Sequence, residues 1–210
     1  MVALHPGAKD PSRRWPPDHF AALGDALALR YGARLLLTGT AGERSLTAAI
    51  GATLQAPALD LAGVTDLGTF AALIARCDLL VTNDTGASHL AAAARTPSVV
   101  LFGPSRPSRW APLDRDRHLV VDAADFDLTG DLSSLPTAPV LAACERQVGS
   151  RGAIRHTLGP PPRLSSRADA RNSGVATSGT SADSSTPLGM TPNSTISHRL
   201  SNPEGPSCAP

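Results

Sequence analysis

The chain has 210 residues, a formal net charge of +1 and few aromatics, two Trp, one Tyr and four Phe, all before position 127. Residues 1–126 carry twelve basic and twelve acidic side chains, a balance that argues against a nucleic-acid binder, which needs a basic excess on one face. Cys77, Cys144 and Cys208 are too far apart for a metal site or a disulfide framework, which fits a reducing cytoplasm; no apolar run reaches the ~18 residues of a membrane span, and Met1–Gly7 is too short for a signal peptide.

Apolar runs and helical periodicities alternate from the start. Val2–His5 reads as a short buried strand. Pro17–Tyr31 reads as an amphipathic helix, with Phe20, Leu23, Leu27 and Tyr31 at helical spacing, Pro17 in its first turn and Gly32 placed to end it. Arg34–Thr38 is a second strand, Gly42–Leu54 a second helix and Ala58–Leu61 a third strand. Asp66 caps a helix that carries Leu67, Phe70, Leu73 and Ile74 on one side. Asp78–Thr82 is the fourth strand, Ala87–Arg95 a helix, Ser98–Phe102 the fifth strand and His118–Val121 the last. Strands separated by helices predict an α/β fold, a Rossmann-like doubly wound parallel sheet in the order 3-2-1-4-5-6.

A packed core is expected for residues 1–126 and not beyond. Residues 127–159 read as a transition segment. From Pro160 to Pro210, 28 of 51 residues are Ser, Pro, Thr or Gly, a composition that cannot bury enough apolar surface to offset chain entropy, so a disordered tail is expected.

The run Asn83-Asp84-Thr85-Gly86-Ala87-Ser88-His89 sits where a buried strand ends and a helix begins, the place where ligands bind in an open α/β sheet. The helix N-terminus suits a phosphate. Gly86 permits close backbone approach, Thr85 offers a hydroxyl, and His89 lies one turn on. Asp84 either orients this loop or forms a turn on its own backbone, and His89 is either a phosphate or sugar donor or a structural histidine. The predicted order makes the first and fourth strands neighbours, so His5–Arg14 and Asn83–His89 face one another across one crevice. Lys9, Arg13 and Arg14 either serve a diphosphate or form a solvated charge run over Trp15. Glu43 either accepts from a ribose or favours the first turn of its helix. Ser105, after Phe102-Gly103-Pro104, could line the site, and packing is the default role of Trp110. Motifs of dinucleotide dehydrogenases, P-loop proteins, zinc proteases and serine hydrolases are absent.

Taken together, His5-Pro6-Gly7-Ala8, Arg13-Arg14-Trp15-Pro16, Leu37-Thr38-Gly39 with Glu43, Leu61-Ala62-Gly63, Asp84-Thr85-Gly86 with His89, and Phe102-Gly103-Pro104-Ser105 resemble glycosyltransferase family 9, the heptosyltransferases of lipopolysaccharide assembly. The resemblance runs from residue 4 to about 112 and implies half of a GT-B fold, the second and donor-binding of two Rossmann-like domains. It implies a nucleotide-sugar partner, ADP-heptose, inverting transfer to a lipopolysaccharide-core acceptor, and neither cofactor nor metal. Arg13 takes the place of a diphosphate-binding cation, Glu43 that of the ribose-binding acid, and Asp84, Thr85, Gly86 and His89 those of the diphosphate and sugar site. The family's general base, an Asp, belongs to the acceptor-binding first domain, so no catalytic residue is expected here and the isolated chain is expected to be inactive. A cytoplasmic location follows, with peripheral membrane association through the acceptor. Two alternatives stay open: a non-catalytic nucleotide-binding remnant, and a GT-B transferase using a UDP- or GDP-sugar.

Overall fold

The computed structural model describes residues 1–127 and 129–149. The expected disorder of 160–210 lies outside the described residues. Twelve strands and α-helices follow in chain order: β1 (Val2–His5), α1 (Pro17–Tyr31), β2 (Leu35–Leu37), α2 (Arg44–Thr53), β3 (Ala58–Asp60), α3 (Leu67–Arg76), β4 (Leu79–Asn83), α4 (Gly86–Ala93), β5 (Ser98–Phe102), α5 (Pro107–Trp110), β6 (His118–Asp122) and α6 (Thr137–Gly149). The strands form one six-stranded parallel sheet in the order β3-β2-β1-β4-β5-β6. Val2 of β1 lies between Leu35 of β2 and Leu79 of β4. The crossovers diverge on either side of β1 and β4, leaving the loops after these two strands to face each other.

Side-chain alternation splits the apolar residues between two cores. Val2 and Leu4, Leu35 and Leu37, and Leu79 and Val81 point to the face covered by α1, α2 and α6, where they meet Phe20, Leu23, Leu27 and Ile50. Ala3, Leu36 and Leu80 point to the other face and pack with Ile74, Ala87 and Ala91 of α3 and α4. Helix ends use the residues that their chemistry favours. Asp66 accepts from the Thr69 N–H at 2.6 Å, and Gly32 closes α1 at a left-handed φ of 60°. The second helix begins later than the sequence predicts. A 3₁₀ turn, Ala41–Glu43, precedes it because Thr40 and Glu43 close a capping box there.

The core does not end at residue 126. Helix α6, within the segment read as a transition, lies on α1 and buries Val140, Ala143, Cys144 and Val148. Leu132 and Leu135, on the way to it, are fully buried as well. The indole Nε1 of Trp15 donates to the Leu135 carbonyl at 2.9 Å, so the beginning of the domain is bonded to its end. Counting aromatics hid this packing, because α6 fills its space with small and medium side chains at helical spacing.

A chain ending at residue 126 loses Leu132, Leu135, Val140 and Val148 from the core, each worth about 1.5–3 kcal/mol, and leaves the Trp15 N–H unpaired. In chemical denaturation it should be largely unfolded or aggregated, while a chain ending at residue 149 shows a cooperative transition. Equal stability of the two would contradict this account of α6.

Candidate functional site

The site is built where β1 and β4 end. Asn83, the last residue of β4, is fully buried. Its side-chain amide donates to the Pro6 carbonyl at 2.8 Å, and its oxygen accepts from the Trp15 N–H at 3.2 Å. One side chain thus ties the β4 end to both ends of the β1–α1 loop. Arg14 contributes from within the loop, donating through Nε and Nη2 to the Ala8 carbonyl at 2.9 and 2.7 Å.

Between these loops lies an open cleft of about 430 Å³. Its lining includes Lys9, Arg13 and the first turn of α4, with Thr85, Gly86 and His89. Thr85 is the N-cap of α4; its hydroxyl accepts from the Ala87 N–H at 3.4 Å. At Gly86 the space that a Cβ would enter is open, so a ligand can approach the backbone and the positive end of the helix dipole. Arg13 is half-buried and makes an ion pair with the buried Asp84. It donates to the Asp84 carbonyl as well. Ser105 Oγ donates to Asp84 Oδ2 at 2.7 Å. The carboxylate of Asp84 therefore faces Arg13 and Ser105 and sets the direction of the guanidinium. Lys9 is exposed and forms no ion pair among the described residues.

The loop after β2 adds an acid to the lining. Glu43 Oε2 accepts from the Thr40 N–H at 2.7 Å and the Thr40 hydroxyl at 2.9 Å. Burial pushes this carboxyl upward, but the Thr40 bonds, His5 and Arg14 outweigh it and hold it below its ordinary value. Gly7 leaves room for this carboxylate: a Cβ there would stand 2.1 Å from Glu43 Oε1 and would displace it. His5 forms part of the floor. Its Nδ1 is 3.1 Å from Thr38 Oγ1, and its ring lies against Phe70 with centroids 5.3 Å apart. Burial lowers its pKa below 6.5, against the opposing pull of Glu43, so it is neutral at pH 7. Beyond His5, Thr40 and Thr85 the cleft meets a more apolar cavity of about 510 Å³ between Leu67, Phe70, Ala87 and Leu90.

The structure brings together Lys9, Arg13, Glu43, Asp84, Thr85, Gly86 and His89. It does not put Ser105 on the wall; that residue stands behind Asp84. Arg14 is turned into the loop rather than the cleft. Sequence reasoning placed His5 in a segment facing the crevice without giving it a role, and missed Thr40 and Trp110 as lining residues. Trp110 is 51% exposed at the mouth, where packing was expected. Asn83 was read only as part of a motif, and its burial between two loops is what gives it a role.

The depressed His5 pKa has a pH consequence. Below pH 6.5 the unfolded chain binds a proton that the folded chain resists, so stability present above 6.5 is lost as pH falls. The loss approaches about 1.4 kcal/mol per pH unit, the limit for one proton. A His5→Asn variant should show a flatter stability profile between pH 6.5 and the acidic range where Glu43 titrates. Parallel profiles for both proteins would show that His5 contributes nothing to it.

The chain has counterparts among known proteins. The family description "Glycosyltransferase family 9 (heptosyltransferase)" matches residues 1–126. The chain is 38% identical over 125 residues to lipopolysaccharide heptosyltransferase 2 of Escherichia coli K12, covering 57% of this chain and 36% of that protein. It is 36% identical over 133 residues to lipooligosaccharide heptosyltransferase 2 of Haemophilus influenzae, covering 61% of this chain and 38% of the relative. Among solved structures, E. coli ADP-heptose LPS heptosyltransferase II superposes with a TM-score of 0.66 at 32% identity, over 72% of this chain and 47% of that one. The chain thus spans little more than a third of the length of these curated relatives. With a family match over more than half of its residues, a sheet order that meets the expectation and a shared fold, this chain belongs to glycosyltransferase family 9, the heptosyltransferases.

Proposed function

We propose that this chain is the donor-binding half of a GT-B heptosyltransferase and binds ADP-heptose for transfer to a lipopolysaccharide-core acceptor. The observation that carries the reading is the polarity of the cleft lining, with two cations on the loop after β1, a helix N-terminus after β4 and Glu43 after β2. A nucleoside diphosphate matches that polarity. Its phosphates suit Lys9, Arg13 and the first turn of α4, and its ribose hydroxyls suit the Glu43 carboxylate. The cavity beside Phe70 and Leu90 offers apolar side chains and an aromatic ring to a base. The heptosyltransferase named for ADP-heptose, at 32% identity, supports adenine as that base.

In this reading the chain's residues act on the leaving group. As the bond from the sugar to the diphosphate lengthens, negative charge grows on the phosphate oxygens. Arg13, fixed in direction by Asp84 before the ligand arrives, and the dipole of α4 stabilise that charge without reorganising. Activation of the acceptor hydroxyl, with inversion at the anomeric carbon, is assigned to the other half of the architecture. The reading needs no metal, and it places the reaction on the cytoplasmic side. The part of the relatives that this chain spans, about 36% of the E. coli protein, favours a second form of the proposal. On its own the chain binds nucleotide and transfers little or no sugar.

Calorimetric titration with ADP, UDP and GDP tests the reading. ADP should bind in preference to the other two. Lys9→Ala and Arg13→Gln should each weaken ADP about tenfold or more, as the loss of a charge-assisted hydrogen bond implies. Unchanged affinity in both variants, or no binding by a folded sample, would sink the assignment.

A further inference from the structure

His5 occupies a particular place in the cleft. It lines both the polar cleft and the apolar cavity, together with Thr40, Thr85 and Gly86. In a nucleotide the ribose joins the base to the diphosphate. The residues common to the two cavities therefore stand where a ribose would lie.

The hydrogen bonds around His5 fix its tautomer. A hydroxyl has one proton, and that of Thr38 goes to the Leu4 carbonyl at 3.3 Å. Thr38 Oγ1 then accepts from His5 Nδ1, 3.1 Å away, so Nδ1 carries the ring proton. The ring is neutral at pH 7, which leaves a lone pair on Nε2. Nε2 has no hydrogen-bond partner among the described residues and is not among the buried unpartnered atoms, so it is open to the cleft.

The side-chain donors at this junction are already used. The Thr40 hydroxyl donates to Glu43 Oε2. The Thr82 hydroxyl donates to the Asn83 carbonyl at 2.9 Å, so the contact of 3.3 Å between the Thr82 and Thr85 hydroxyls takes the Thr85 proton. What remains is a pair of acceptors, His5 Nε2 and Glu43 Oε1, which takes neither Thr40 bond. A ribose diol offers two O–H donors. We propose that His5 Nε2 accepts one ribose hydroxyl of the bound nucleotide beside Glu43, and that this acceptor pair makes the site select ribose over deoxyribose. The proposal rests on the reading of the cleft as a nucleoside-diphosphate site.

Calorimetric titration of the full chain with ADP, 2′-deoxy-ADP, 3′-deoxy-ADP and inosine diphosphate tests it. The parent should bind each deoxy nucleotide about fivefold or more weakly than ADP, because a buried acceptor then stays unpaired. His5→Asn keeps a donor for Thr38 and removes the outer acceptor. It should weaken ADP about fivefold, with no loss for the one deoxy nucleotide that lacks the hydroxyl bound by His5. That unchanged affinity also reports a folded site. His5→Gln, whose carbonyl oxygen extends toward the place of Nε2, should recover most of the discrimination. Inosine diphosphate, which lacks the amine of adenine, should lose as much as ADP in His5→Asn. Equal losses for ADP and both deoxy nucleotides, a loss that disappears with inosine diphosphate, or a parent that does not discriminate would overturn the role of His5 while leaving the donor site standing. A folded parent that binds no ADP would overturn both.

Discussion

The amide of Asn83 is the contact on which the site depends. Two chain segments that are far apart in sequence meet at the C-terminal ends of β1 and β4, and both expose backbone groups to a buried space. Asn83 satisfies the Pro6 carbonyl and the Trp15 N–H at once. Each such group left unpaired would cost about 1–3 kcal/mol. The same loop carries Lys9 and Arg13, and the residue after Asn83 is the Asp84 that aims Arg13. Removing the amide would therefore loosen the β1 and β4 loops of the cleft together. Trp15 extends the connection through its indole to Leu135 and so to α6. The stability of the last helix and the geometry of the ligand site are coupled through one tryptophan.

Charge placement in the cleft follows from the same constraint. A buried ion pair seldom adds much net stability, because desolvation offsets the attraction. Arg13 and Asp84 are better understood as preorganisation. The carboxylate fixes a guanidinium that would otherwise sample many rotamers, and Ser105 fixes the carboxylate. Glu43 serves two ends in a comparable way. It completes the capping box at the start of its helix through Oε2, while Oε1 lies next to Gly7 on the cleft wall. The two readings of Glu43, helix-start acid and ligand acid, are compatible because Oε2 takes both Thr40 bonds and Oε1 takes neither.

Much of this was legible in the sequence, and the reasons are particular. β1, α1 and β5 lie where the periodicity places them, because Pro17 and Gly32 bracket α1 and a run such as Ser98–Phe102 has no plausible place but a buried parallel strand. The facing of the β1 and β4 loops follows from the handedness of the crossovers. What was not legible depends on tertiary contact. Arg13 and Arg14 are adjacent and alike, and only the 3₁₀ turn Pro11–Arg13 decides that one meets Asp84 and the other Ala8. Ser105 and Trp110 exchange their expected roles, since the first is behind the wall and the second stands at the mouth. Helix α6 has no aromatic residue and fills its face with small and medium side chains, so its burial shows only once α1 is present to pack against.

The central claim is that the loops after β1, β2 and β4 form one nucleoside-diphosphate site. Amide chemical shifts followed during titration of the full chain with ADP test it most directly. The account predicts that Gly7–Lys9, Thr40–Glu43 and Thr85–Ala87 shift together with a common dissociation constant. Shifts confined to one loop, or centred elsewhere with the cleft silent, would contradict it.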